Sequence, residues 1–170
     1  LGREETRATP ATPRRPGPDP GPLQRRRWSP RIRSGAARGA GVTAYAWPDP
    51  RALLDELAAH MAERGETLSL IDAEAFSAGL DRAKLAETDG DADLHALAAL
   101  MFEGVATRHP LVDGNKRLAF LAMVAFLSLN GAYLDAPEAE IAALCIAVVA
   151  KARTADDLAA CLRRHAGEPD

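Results

Sequence analysis

The run HPLVDGNKRLAFLAMVAFLSLNG, residues 109–131, decides how this chain folds. From Asn115 to Asn130 apolar side chains fall on nearly every face of a 3.6-residue turn, and Gly131 follows as a stop signal, which predicts a helix buried on all sides. Such a helix must be wrapped by others. Its opening is unlike the rest of it, because His109, Asp113, Gly114, Asn115, Lys116 and Arg117 crowd polar chemistry into the preceding loop and the first turn.

Helical patterns continue outward in both directions. Upstream, Leu94, Leu97, Ala98, Met101 and Val105 form the stripe of a helix that begins near Asp91. It must stop before Pro110, since a residue preceding proline is pushed out of the α region, and this places His109 just past a helix end. Further upstream, Asp49 as N-cap and Pro50 at the first position start a helix with Leu53, Leu54, Leu57, Ala58 and Met61 on one face, ending at Gly65. A shorter helix is expected over Asp72 to Leu80, followed by an acidic loop from Glu87 to Asp93. Downstream, Pro137 opens a helix running to about Ala152. Thr154-Ala155-Asp156-Asp157 then resembles a capping box, with Asp in place of Glu, for a last helix ending near His165. No strand alternation or internal repeat is visible. The body is therefore expected to be all-α, one central helix surrounded by about five others.

Charge divides the chain. Residues 1–43 hold ten arginines and three acids, whereas the remainder holds eleven basic and twenty-one acidic residues. That first segment is rich in Pro, Gly and Arg with neither hydrophobic period, so residues 1–43 are expected to be a disordered basic extension and 44–167 the folded domain. Arg25-Arg26-Arg27 could touch nucleic acid, but an unstructured extension or upstream sequence explains it better, the chain opening on Leu, and no direct nucleic-acid binding is expected. No apolar run is long enough to span a bilayer and no secretory signal pattern is present, so the expectation is a cytoplasmic protein. Cys145 and Cys161, lacking metal-ligand spacing, read as buried thiols.

The opening of the central helix carries the chemistry. Its first N–H groups lack intrahelical acceptors and sit at the positive end of the helix dipole, a natural seat for phosphate. Gly114 lets the backbone approach such an anion, Asn115 offers an amide, Lys116 a point charge and Arg117 a planar fork. Asp113, just before them, suits a Mg²⁺ shared with phosphate. His109 offers an imidazole that can take a proton from an incoming hydroxyl. Each residue alone has a structural explanation, as a cap, a turn residue or a solvated face. Their coincidence at one helix start points to phosphoryl or nucleotidyl transfer.

HPLVDGNKR resembles the signature of Fic proteins, His-x-Phe-x-Asp/Glu-Gly-Asn-Gly-Arg, and in particular that of the Doc branch, the toxins of Phd-Doc toxin-antitoxin modules, which has Asn-Lys-Arg as in Asn115-Lys116-Arg117. The similarity covers roughly Tyr45 to Gly167. It implies an all-helical Fic/Doc fold and transfer of the γ-phosphate of ATP to a protein hydroxyl, the family target being a threonine of elongation factor Tu, with arrest of translation. It further implies His109 as the base, Asp113 as the Mg²⁺ ligand, Asn115 and Arg117 on the phosphates, Gly114 in the anion nest, and Lys116 where the AMP-transferring branch has glycine. AMP transfer, or a catalytically silent Fic-fold binding module, are the alternatives. Two departures stand out. Leu111 replaces the family's Phe, and Arg108 beside the histidine reads as solvated.

Many Fic proteins carry an inhibitory helix marked Ser/Thr-x-x-x-Glu-Gly/Asn. The nearest match here, Ala99 followed by Glu103 and Gly104, lacks the hydroxyl and lies in the helix before the loop, so no built-in brake is expected. The resemblance implies instead a small Phd-like antitoxin acting in trans, a disordered segment of which folds into a groove. His60, His95 and His165 read as surface or cap residues, and Glu138 and Glu140 as acids complementing a helix dipole.

Overall fold

The computed structural model describes residues 45–90 and 92–167. The expectation of a disordered extension over 1–43 lies outside the described residues. Six helices follow one another: α1 (Pro50–Ala62), α2 (Ala73–Thr88), α3 (Leu94–Arg108), α4 (Asn115–Leu129), α5 (Glu138–Val149) and α6 (Ala155–His165). The all-α expectation holds, but α4 shares the centre with α3: α4 packs against α1, α3 and α5, whereas α2 and α6 pack on α3.

Local chemistry explains where most helices begin. Asp49, Asp72 and Asp93 each accept a backbone N–H three residues on at 2.8 Å, capping α1, α2 and α3. The Thr154–Asp157 pair forms a reciprocal capping box on α6. Gly131 beyond α4 is left-handed at φ 80°, as the stop signal required.

Four expectations need correction. Helix α2 runs eight residues beyond Leu80, because Ala83 continues the buried stripe of Phe76 and Leu80 while Arg82 and Lys84 face solvent. The acidic loop shrinks accordingly, since Glu87 and Thr88 belong to α2. Helix α5 ends at Val149 rather than Ala152, the chain turning left-handed at Lys151 (φ 58°) while Ala152 and Arg153 donate back to the Ala147 carbonyl. Two-residue strands also exist. β1 (Tyr133–Leu134) pairs antiparallel with β2 (Ala166–Gly167), and Leu70 bridges Leu111, pairings too short to leave an alternating pattern.

The core forms where α3 and α4 pack together. Leu97, Met101, Phe102, Val105, Leu118, Met123 and Phe126 are fully buried between them and their neighbours. Helices α2 and α3 approach so closely that a side chain at Gly104 would collide with the Gly79 carbonyl oxygen. An asparagine stands at each end of α4, and each fastens an extended segment. The Asn130 carboxamide accepts from Ala46 N at 2.8 Å and donates to Ala46 O at 2.9 Å, drawing Trp47 onto Phe126 with ring centroids 4.6 Å apart. Asn115 does the same at the other end, for the loop that carries the motif.

Candidate active site

The loop from His109 to Gly114 is held from three sides. Helix α3 delivers His109, which terminates it in the left-handed region at φ 49° and ψ 55°, a consequence of Pro110 disfavouring α geometry in the residue before it. The Pro110 carbonyl accepts from Ile71 N and Asp72 N, and Val112 N donates to Ser69 O at 3.1 Å, so the segment after α1 braces the loop. Leu111 is 2% exposed and anchors the loop in the core. Asn115 closes the loop, its Oδ1 accepting from Leu111 N and its Nδ2 donating to Leu111 O, both at 2.8 Å.

This modifies one expectation. The Asn115 carboxamide is committed to the loop backbone, so what it can offer a phosphate in this arrangement is its main-chain N–H. The remaining site residues converge as expected. His109, Asp113, Gly114, Asn115, Lys116 and Arg117, with Ala106 and Val149, line one cleft of about 170 Å³. Gly114 is the N-cap of α4 at φ 89° and supplies no side-chain cap, so the first-turn N–H groups stay open toward the cleft. That φ is comfortable only for glycine.

Charge at the cleft is arranged around Arg117. Its Nη1 pairs with Glu66 Oε2 at 2.6 Å, and its Nη2 lies 3.5 Å from Asp113 Oδ2. Lys116 is exposed and makes no ion pair among the described residues. Asp113 Oδ1 accepts the Gly114 N–H at 2.6 Å, which fixes the carboxylate, while its side chain remains 83% exposed. A fixed, solvent-facing carboxylate is chemically suited to a hard divalent cation such as Mg²⁺. Arg108 points to solvent and lies outside the cleft lining, as expected.

Glu66 was not apparent from the sequence. It follows the turn that ends α1, where Gly65 is left-handed at φ 72° and Glu66 N donates to Met61 O at 2.9 Å. This cap sets its carboxylate against an arginine 51 positions later, and no local pattern announces such a pairing. Glu103 of the degenerate inhibitory motif, by contrast, bridges Arg82 of α2 at 2.6 Å, and Gly104 serves the crossing with α2.

A larger apolar groove of about 450 Å³ adjoins the cleft, bounded by Leu57 and His60 of α1, Phe120 and Leu121 of α4, and Ile141 and Ile146 of α5. Lys116 and Arg117 belong to both cavities. The two cysteines are free and buried, and burial pushes the Cys145 thiol up to about 12 and raises that of Cys161. Among the described residues no helix is long and apolar enough to cross a membrane.

No curated protein matches the chain. A model of the Fic/DOC family matches residues 25–127, a span that contains α1 to α3, the whole motif loop and most of α4. More than half of the sequence thus falls under that one description, with the motif loop inside the matched span and folded at the head of a buried helix, and the protein belongs to the Fic/DOC family.

Proposed function

We propose that this protein is a Fic-type transferase of the Doc kind, moving the γ-phosphate of ATP to a hydroxyl of a protein target. The observation that carries the proposal is the convergence of His109, Asp113 and the open N–H groups of Asn115 to Arg117 on one cleft. The triphosphate lies against the start of α4, where the helix dipole, Lys116 and Arg117 offset its charge. Asp113 would hold a Mg²⁺ ion, which when bound would supply charge neutralisation at the phosphates. His109 takes the proton of the target hydroxyl as its oxygen bonds to the γ-phosphorus; the bond from that phosphorus to the bridging oxygen breaks, and ADP leaves. Lys116 adds volume and charge where AMP-transferring relatives have glycine, which favours presenting the terminal phosphate rather than the α-phosphate.

The target class follows from the Doc resemblance, a threonine of elongation factor Tu, and its modification arrests translation. The same resemblance supplies an antitoxin in trans. The apolar groove between α1, α4 and α5 is its proposed seat, because a helix laid there meets Lys116 and Arg117 and covers the cleft.

Incubation of the purified chain with ATP labelled on either the α- or the γ-phosphorus, magnesium and a cell extract tests the reading. Label from the γ-position alone should enter one protein band. Label from the α-position instead would show AMP transfer and overturn the kinase reading. His109 is exposed, so His109→Ala should fold normally, lose transfer entirely and relieve growth arrest on expression without a partner. A His109→Ala variant as toxic as the parent would remove the proposed base.

A further inference from the structure

Away from the cleft, α5 and α6 bring three metal-ligating side chains to one point. Cys161 and His165 lie four residues apart on α6 and project from the same face. Glu140, in the first turn of α5, reaches across to both. Its Oε1 lies 3.7 Å from Cys161 Sγ and its Oε2 lies 3.4 Å from His165 Nε2, and the three residues place one ligand atom each within 4.8 Å of one another. Bonds of about 2.0–2.3 Å to a tetrahedral ion set its ligands roughly 3.3–3.8 Å apart; the separations of Cys161 and His165 from Glu140, one from each carboxylate oxygen, are of that order, and a small side-chain adjustment brings one oxygen to both.

We propose that Glu140, Cys161 and His165 form a binding site for a zinc-class transition metal that clasps α5 to α6. The donor set is one sulfur, one nitrogen and one oxygen, which selects such an ion over magnesium or calcium. Access is one-sided. Glu140 is exposed, giving the ion an entry path and a water as fourth ligand, while Cys161 closes the site from the core. Arg164 Nη2 lies 3.3 Å from Glu140 Oε1 and orients the carboxylate from outside. On coordination sulfur bonds to the metal as thiolate and the thiol proton passes to solvent.

The clasp acts on the wall of both cavities described above. Helix α5 carries Val149 into the cleft and Ile141, Cys145 and Ile146 into the groove. It begins at Pro137 without a side-chain cap, whereas the far end of α6 is tied down by Asp135 N donating to His165 O at 2.9 Å and by the β1–β2 pair. Metal at Glu140 would therefore fasten the first turn of α5 to a fixed point.

The test is titration of the chelator-treated full chain with Co²⁺, followed by displacement with Zn²⁺. The expected result is one equivalent of cobalt, with a thiolate-to-metal band in the near ultraviolet and the visible bands of tetrahedral geometry, both erased by zinc. His165→Gln should weaken the apparent Kd by at least about tenfold, and Cys161→Ser should abolish the thiolate band. Because Cys161 is buried, His165→Gln serves as the decisive variant should Cys161→Ser fail to fold, and at equal zinc the Tm of the parent should rise more than that of His165→Gln. Asp113→Asn should bind cobalt as the parent does, which separates this site from the proposed magnesium ligand. Absence of a thiolate band at one equivalent, or equal affinity in His165→Gln, would overturn the proposal.

Discussion

Replacing Gly104 by alanine tests the packing that aims the histidine. An added β-carbon at Gly104 collides with the Gly79 carbonyl oxygen, and the obstacle is helix backbone rather than a side chain that can swing aside. Two effects oppose one another. Alanine is favoured over glycine in a helix interior by about 1 kcal/mol. Overpacking of a filled core costs about 1–3 kcal/mol, and the backbone-to-backbone contact puts this site at or above the upper end. The net loss is therefore about 2 kcal/mol, which in a domain of this size corresponds to a Tm lower by roughly 6–10 °C. At Gly79 the added carbon would stand 2.9 Å from Gly104 O, a milder clash, so Gly79→Ala should lose less. Function should fall further than stability, because α3 ends at His109 and parting α2 from α3 displaces the imidazole. A misplacement of about 1 Å can reduce a rate on the order of 100-fold. Differential scanning calorimetry and the transfer assay, run well below the melting range, measure the two effects separately. A Gly104→Ala variant that melts at or above the parent would refute this account of the crossing.

Other outcomes follow from particular contacts. Glu66→Ala should leave stability within about 1 kcal/mol, since the pair with Arg117 is partly exposed, yet weaken Mg-ATP binding by about tenfold as the guanidinium loses its anchor; calorimetric titration showing tighter binding would mean that Glu66 restrains Arg117 instead. Asn115→Ala removes both hydrogen bonds to Leu111, and urea unfolding should show a loss of about 1–3 kcal/mol along with slower transfer. Acid should destabilise the α3–α6 contact through two groups. Arg163 holds the Asp93 carboxyl below its ordinary range, so that contribution is present above the unfolded carboxylate value and is lost as pH falls through the lower folded one. Burial lowers His95, so the unfolded chain takes up that proton first and stability declines as pH drops below about 6.5. Tm measured against pH should therefore fall in two stages, the upper one absent in His95→Gln.

What could be read in advance was local. The apolar density of α4, the Asp and Thr caps, Gly131 and the proline that strands His109 beyond α3 are statements about residues a few positions apart, and chain geometry converts them directly into helices and ends. The helix opening with Asp113, Gly114, Lys116 and Arg117 was legible for the same reason, since one turn of backbone gathers those groups whatever surrounds it. Asn115 shows the limit of that reading, because its residue type announces an amide donor while only the folded loop decides that Leu111 receives it. Tertiary structure alone joined Glu66 to Arg117, Arg82 to Glu103, Gly79 to Gly104, and Glu140 to Cys161 and His165. Each of those meetings depends on where one helix crosses another, and a crossing is set by the shapes of two packed surfaces together, information that no periodicity within either helix contains.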